Sequence, residues 1–295
     1  MVFPGRRQAR GSRRGARVIA SEHVLHLDTV EFAGHRYVAT ADLGLGRSVP
    51  LMVHGNARVF LSLSHAVAEE LTGGPLPKVE DYGYTARGKA SVDVPMMRLG
   101  GALFEALNDV PVFDFTEDPD SRVQGMLGTR FLTSARAAVD FSSDALLLGV
   151  PSTDEPDPAL LARGYAAVRT VALADGRMVT DVFFPSIERS LLITLSTVAG
   201  ALMLHRPLFE GRVAMHVAGF DHSPSGTSPE LFTAERMAFE IDGSAFEAMA
   251  SFQNLAEYGK VAESELEISG MLGFDWMRAR AAVLDYANRF LYFRT

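Results

Sequence analysis

Apolar positions along this chain recur with a period of two, in short runs broken by glycine, and that alternation predicts strands rather than long helices. Residues 35–53 alternate on both sides of Gly44-Leu45-Gly46, and residues 166–184 on both sides of Asp175-Gly176. Each stretch therefore reads as a β-hairpin. An arginine follows each turn, Arg47 in one and Arg177 in the other, which marks the two hairpins as equivalents. After each, the pattern predicts a short helix opened by a serine cap, over residues 64–71 and 196–202.

A later block occurs twice. Gly125-Met126-Leu127-Gly128 is followed by Phe131-Leu132, Ala137-Ala138-Val139-Asp140-Phe141 and Leu146-Leu147-Leu148. Gly270-Met271-Leu272-Gly273 is followed in the same register by Trp276-Met277, Ala282-Val283-Leu284-Asp285-Tyr286 and Leu291-Tyr292-Phe293. Upstream, residues 101–106 answer residues 243–248, and Leu51-Met52-Val53 is matched to Val182-Phe183-Phe184. The chain thus reads as two copies of one mainly β domain with a few short helices. The expected divisions are a disordered basic tail over 1–17, a first lobe over 18–150, a linker over 151–160 rich in proline and acid, and a second lobe over 161–295. A small helix is expected after each Gly-Met-Leu-Gly. Asp140 and Asp285 are expected to be structural, and Asp275 to cap the second helix.

Composition adjusts this picture at the margins. The 295 residues are 47% hydrophobic and 22% charged, enough for a core in each copy. A formal charge of -8 at pH 7 argues against a nucleic-acid partner, which needs a basic surface. The longest apolar run, 191–204, is too short for a membrane span and contains serine and threonine, so no membrane partner is expected. The absence of cysteine excludes disulfides and thiolate metal sites, and His205, His216 and His222 have no ligand spacing, so neither metal nor cofactor is expected. Six arginines, from Arg6 to Arg17, lead the chain without the apolar segment of a secretory signal after them. They read as a solvated tail or an arm for an anionic partner, and a cytoplasmic location is the simplest expectation.

The order of strand pair, short helix, Arg98-Leu99-Gly100-Gly101 hairpin, Gly-Met-Leu-Gly block and Ala-Val-Asp-Phe strand resembles the pepsin and retropepsin-like aspartic proteases. The resemblance runs from about Val18 to Thr295. It implies two β-lobes related by a pseudo-twofold axis, with a substrate cleft between them. It also implies one Asp-Thr/Ser-Gly turn per lobe, so that two carboxylates share a proton and activate water.

The departure from that pattern bears directly on function. The turn after Leu51-Met52-Val53 is His54-Gly55-Asn56, and the turn expected after Val182-Phe183-Phe184 is Pro185-Ser186-Ile187. Neither carries an aspartate, so proteolysis by the family mechanism is not expected. His54, with an ordinary pKa near neutral, is the candidate general acid or base, or else a hydrogen-bonding residue across the lobe interface. Glu188 is the candidate second catalytic group. Asn56 is expected to hold a left-handed turn. Arg58 and Arg189 are expected at equivalent places, either clamping a carboxylate or phosphate or forming an inter-lobe ion pair such as Arg58 with Glu188. Ser186 completes the binding set, and Tyr82 and Tyr84 stand where the family carries its mobile flap. Two functions follow. One is a repurposed cleft that transforms a small molecule by proton transfer or cyclisation, as in bacterial specialised metabolism. The other is an inactive protease relative that binds an extended peptide or protein.

Overall fold

The computed structural model describes residues 22–31, 34–77, 90–113, 122–220, 230–256 and 267–295. The expected tail over 1–17 lies outside them. The first half contains β1 (His23–His26), β2 (Asp28–Glu31), β3 (His35–Asp42), β4 (Ser48–Val53), β5 (Leu61–Ser64), α1 (His65–Thr72), β6 (Ser91–Leu99), β7 (Ala102–Phe113), β8 (Gly125–Leu127), α2 (Thr129–Ser134), β9 (Ala138–Asp140) and β10 (Ala145–Leu148). The second contains α3 (Pro158–Ala162), β11 (Ala166–Arg169), β12 (Val171–Ala172), β13 (Met178–Phe184), β14 (Arg189–Leu195), β15 (Leu202–His205), β16 (His216–Phe220), β17 (Glu230–Ile241), β18 (Ser244–Gln253), β19 (Gly270–Leu272), α4 (Phe274–Ala279), β20 (Val283–Asp285) and β21 (Phe290–Phe293). The protein is mainly β, as its alternating pattern predicts.

Strand pairing repeats between the halves. Lobe 1 orders its sheet β2-β3-β4-β8-β5-β7-β6, and lobe 2 orders its own β12-β13-β14-β19-β15-β18-β17-β16. Each sheet curls until a single rung closes it, Asp42 with Arg98 in lobe 1 and Phe183 with Glu240 in lobe 2. A third sheet, β1-β10-β9-β20-β21-β11, joins the lobes. At its centre Val139 pairs with Leu284, its own counterpart in the repeat, so the pseudo-twofold axis runs through that rung. Each lobe packs an aromatic triangle inside: Phe60, Phe104 and Phe131 in one, and Phe246, Trp276 and Phe293 in the other. A fully buried ring stabilises by about 1.5–3 kcal/mol, so these clusters anchor the lobes individually.

The Gly-Met-Leu-Gly repeat has a steric cause. A Cβ on Gly125 would stand 2.5 Å from the Ser62 carbonyl oxygen, and one on Gly270 would stand 2.5 Å from that of Met203. The closing glycines are equally confined, Gly128 by the carbonyls of Ala57 and Val59, and Gly273 by those of Ala199 and Gly200. Strands β8 and β19 pass so close to the neighbouring backbone that only hydrogen fits.

Three local expectations change. Residues 166–184 are not one hairpin: β11 joins the inter-lobe sheet, and only β12 and β13 pair around Asp175-Gly176. Residues 196–202 are not helical, whereas α1 does begin at the expected cap, with the Val67 N–H donating to Ser64 Oγ at 3.4 Å. Asp275 does not cap α4, whose N-terminal position is held by Gly273 without a side-chain bond. Asp140 and Asp285 are structural as expected. Asp140 accepts from the Ser142 and Ser143 hydroxyls at 2.6 and 2.7 Å, and Asp285 from the Asn288 side chain at 2.9 Å.

Candidate functional site

Both lobes thread one strand alongside their Gly-Met-Leu strand in parallel, and the residue after that strand enters a turn at the lobe interface. In lobe 1, Val53 of β4 pairs with Leu127, and the His54 N–H donates to the Leu127 carbonyl at 2.9 Å. In lobe 2, Leu195 of β14 pairs with Leu272, and the Ser196 N–H donates to the Leu272 carbonyl at 2.8 Å. The turn equivalent to His54-Gly55-Asn56 is therefore Ser196-Thr197-Val198.

This corrects the expected partner turn. Pro185-Ser186-Ile187-Glu188 joins β13 to β14 at their outer end, the place held in lobe 1 by Gly44-Leu45-Gly46-Arg47. The seven residues of β14, at about 3.3 Å each, put it roughly 20 Å from Ser196. Ser186, Glu188 and Arg189 are exposed there and do not join His54. The mismatch is one strand long: Val182-Phe183-Phe184 is as apolar as the true counterpart Ile193-Thr194-Leu195, and β13 is equivalent to β3 rather than β4. The serine read as a helix cap is the serine of the inter-lobe turn, with its Oγ accepting from the N–H groups of Val198 at 3.2 Å and Ala199 at 3.1 Å. Parallel pairing with β19 identifies the turn, and a period-two pattern carries no sign of pairing direction.

A threonine hydroxyl locks the two turns together. The Gly55 N–H donates to Thr197 Oγ1 at 2.8 Å, and the Thr197 hydroxyl donates to the Val53 carbonyl at 2.7 Å, all of it buried. The third residue of each turn crosses to the opposite lobe. Val198 packs with Val38, Met52 and Val123 of lobe 1, bordered by Val30 and Met126. Asn56 donates from Nδ2 to the Met271 sulfur of lobe 2 at 3.5 Å. Asn56 is buried, its Oδ1 has no hydrogen-bond partner among the described residues, and its φ is not positive, so it does not serve the left-handed turn expected of it.

Charge reaches the site from the hairpin before it. The register of β2–β3 and β12–β13 makes Arg36 and Arg177 equivalents, so the symmetric arginine pair is Arg36 with Arg177 rather than Arg58 with Arg189. Arg36 donates to the Val198 carbonyl in the opposite turn and to the His35 carbonyl at 2.9 Å. Arg177 is fully buried and pairs with Asp175 at 2.8 Å. Arg58 does form an inter-lobe ion pair, but with Asp175 at 3.2 Å and not with Glu188. Arg177 and Arg58 together hold the Asp175 carboxyl below its usual range against the upward pull of burial. The Thr129 hydroxyl lies 2.8 Å from the Asp175 carbonyl and 3.0 Å from that of Ala57.

His54 keeps only part of its surface, and the surrounding protein together with the Arg36 guanidinium pushes its pKa down to about 4. Burial is the larger cause. Its Nδ1 accepts the Asn56 N–H at 3.3 Å, which assigns the ring proton of the neutral form to Nε2. The site therefore presents, at neutral pH, an uncharged imidazole on one side and a buried hydroxyl on the other. Neither turn contributes a carboxylate. Tyr82 and Tyr84 lie outside the described residues. Two open depressions lie elsewhere, one lined by Thr29, His35, Asp275, Arg278 and Ala279, the other by Arg206, Pro207, Glu210, Glu230 and Asn254.

No protein-family model matches this chain, and no curated protein matches it. Among solved structures, an aspartic proteinase from Irpex lacteus is similar at 12% identity over 92% of this chain and 96% of that one, with a TM-score of 0.48. Basic 7S globulin from soybean is similar at 11% identity over 92% and 94%, with a TM-score of 0.48. Conglutin gamma, a basic 7S globulin from lupine seeds, is similar at 12% over 92% and 95%, with a TM-score of 0.46. Likeness at this level says nothing of chemistry.

Proposed function

We propose that the cleft between the lobes binds an extended, peptide-like ligand with apolar side chains and does not cut it. The observation that carries this reading is the pair of central residues. His54 and Ser196 stand where a water-activating dyad needs two carboxylates sharing a proton. A base with a pKa of about 4 is weak at neutral pH, and His54 already spends Nδ1 on its own turn. The Ser196 oxygen accepts two N–H groups of its own loop, which occupy the lone pairs a nucleophile needs. A buried apolar cluster flanks the turns in each lobe, Val38, Met52 and Val123 in lobe 1 and Leu173, Val179 and Ile268 in lobe 2, and Met126 and Leu192 at their borders keep part of their surface. A partly exposed thioether and aliphatic chain such as these two adapt to varied apolar side chains.

The test is to incubate the protein with a denatured protein substrate and a peptide library at pH 3 to 8. Peptides should be retained and recovered intact, and His54→Ala should weaken retention by less than about tenfold. Cleavage that a pepstatin-type inhibitor abolishes would sink the proposal. Product formation from a small molecule that His54→Ala lowers by a factor of about 10² or more would replace binding with the proton-transfer alternative.

A further inference from the structure

Two aromatic residues hold equivalent places after the central inter-lobe strands, and they differ by one hydroxyl. Phe141 and Tyr286 are equivalents, each following the strand of the central inter-lobe pair, and each N–H donates to the opposite lobe: Phe141 to the Ala282 carbonyl at 2.9 Å, Tyr286 to that of Ala137 at 3.0 Å. The Tyr286 hydroxyl lies against Gly55 of lobe 1, where a Cβ would overlap it. The same Cβ would press on Thr197 Cγ2 at 3.3 Å and Oγ1 at 3.4 Å. Gly55 does not have positive φ, so space and not backbone conformation requires glycine. Thr197, its counterpart, carries a full side chain, and the counterpart of Tyr286 is the hydroxyl-free Phe141.

We infer that Gly55 and Tyr286 form a matched pair in which the tyrosine hydroxyl fills the volume that a threonine at position 55 would occupy, making Tyr286 a positioning residue for His54. In the repeat, threonine and phenylalanine hold the positions that glycine and tyrosine hold here, and the Phe141 ring packs on Tyr37 and Phe274. The pair fills the space beside the turn that starts at His54 while the Thr197 hydroxyl grips its backbone, and so deepens the reading of these turns as the ligand-facing centre. The imidazole next to this turn feels the Arg36 guanidinium, and any loosening that admits water relieves its isolation.

A double-mutant cycle tests this, with two readouts: thermal unfolding and the His54 titration followed by NMR of the imidazole. None of these measurements uses a ligand, so they stand or fall separately from peptide binding. Gly55→Thr alone is expected to lower the unfolding midpoint by about 5 °C or more, and Tyr286→Phe on that background to recover at least half the loss. Gly55→Ala, a smaller intrusion, covers the case in which Gly55→Thr does not fold, and Tyr286→Phe should rescue it too. Tyr286→Phe alone should remain folded and move the His54 midpoint upward by at least half a pH unit, and the Gly55→Thr/Tyr286→Phe protein should bring it back down. Additive effects on the unfolding midpoint, or a His54 midpoint unmoved by Tyr286→Phe, would overturn the inference.

Discussion

In lobe 1, β4 runs into His54-Gly55-Asn56; in lobe 2, β14 runs into Ser196-Thr197-Val198. The backbone bonds around the two turns agree closely. The Thr129 N–H donates to the Ala57 carbonyl at 2.7 Å, and the Phe274 N–H to the Ala199 carbonyl at the same 2.7 Å. The side chains agree nowhere. Lobe 2 supplies the hydroxyl that locks the lobes, while lobe 1 supplies a glycine and accepts a tyrosine from the other side. The hairpin arginines diverge too: Arg177 is sealed by Asp175, whereas Arg36 reaches over to the Val198 carbonyl beside His54. Matched main-chain bonds beneath unmatched side chains show that backbone approach is the shared requirement and the chemistry at the centre is free to change.

The largest effects should come where the lobes are most alike. Gly128→Ala and Gly273→Ala each drive a Cβ into two carbonyl groups, at backbone that cannot retreat without opening its sheet. Each should cost about 4 kcal/mol or more, measured by urea unfolding, or leave no folded protein. If one is tolerated and the other is not, the lobes do not share the packing that the repeat implies.

Next comes the lock, which belongs to one lobe only. Thr197→Val keeps the shape but strands the Gly55 N–H and the Val53 carbonyl in a buried interface. At about 1–3 kcal/mol for each unsatisfied group, a loss of roughly 2–6 kcal/mol is expected, with Thr197→Ser losing less than about 1 because it keeps the hydroxyl. Equal losses from valine and serine would show that packing, not hydrogen bonding, joins the lobes.

The sequence exposes what repeats and hides what crosses. The Gly-Met-Leu-Gly blocks are legible because a close backbone approach demands glycine at both ends of each, in both copies. The strand alternation is legible for the same kind of reason, a physical period. His54-Gly55-Asn56 was recoverable as one turn of the site because β3 and β4 form a clean hairpin. Its partner was not: Phe184-Pro185 and Leu195-Ser196 both end apolar strands, and choosing between them requires knowing which strand lies parallel to β19. Arg36, Tyr286 and Thr197 reach the site only through contacts across the lobes, which no local pattern records.

Acid should separate the lobes through the one titrating turn residue. His54 has a folded pKa of about 4, against about 6.5 when unfolded. Between those values the unfolded chain binds the extra proton, so stability falls as pH drops from about 6.5 and the loss is complete below about 4. At about 1.4 kcal/mol per unit, the contribution is at most about 3.5 kcal/mol. His54→Gln should lose less stability than the parent protein between pH 7 and pH 4, measured by urea unfolding at each pH. Identical pH profiles would mean that the imidazole is not isolated from solvent.

The smallest effects belong to the turn that the sequence placed at the site and the structure places roughly 20 Å away along β14. Ser186→Ala and Arg189→Ala touch exposed side chains and should shift stability by no more than about 0.5 kcal/mol, with peptide retention unchanged. Glu188 is the informative position. Its φ is 51°, a left-handed value that disfavours a side chain, whereas the lobe 1 turn meets the same demand with Gly44 and Gly46 at 82° and 71°. Glu188→Gly should therefore relieve strain and raise stability slightly, by at most about 1 kcal/mol once the entropy of the unfolded glycine is set against it. The comparison is decided by retention rather than by stability. If Glu188→Gly or Arg189→Ala abolishes peptide retention in a folded protein, the ligand sits on the outer hairpin of lobe 2, and the cleft centred on His54 and Ser196 is not the binding site.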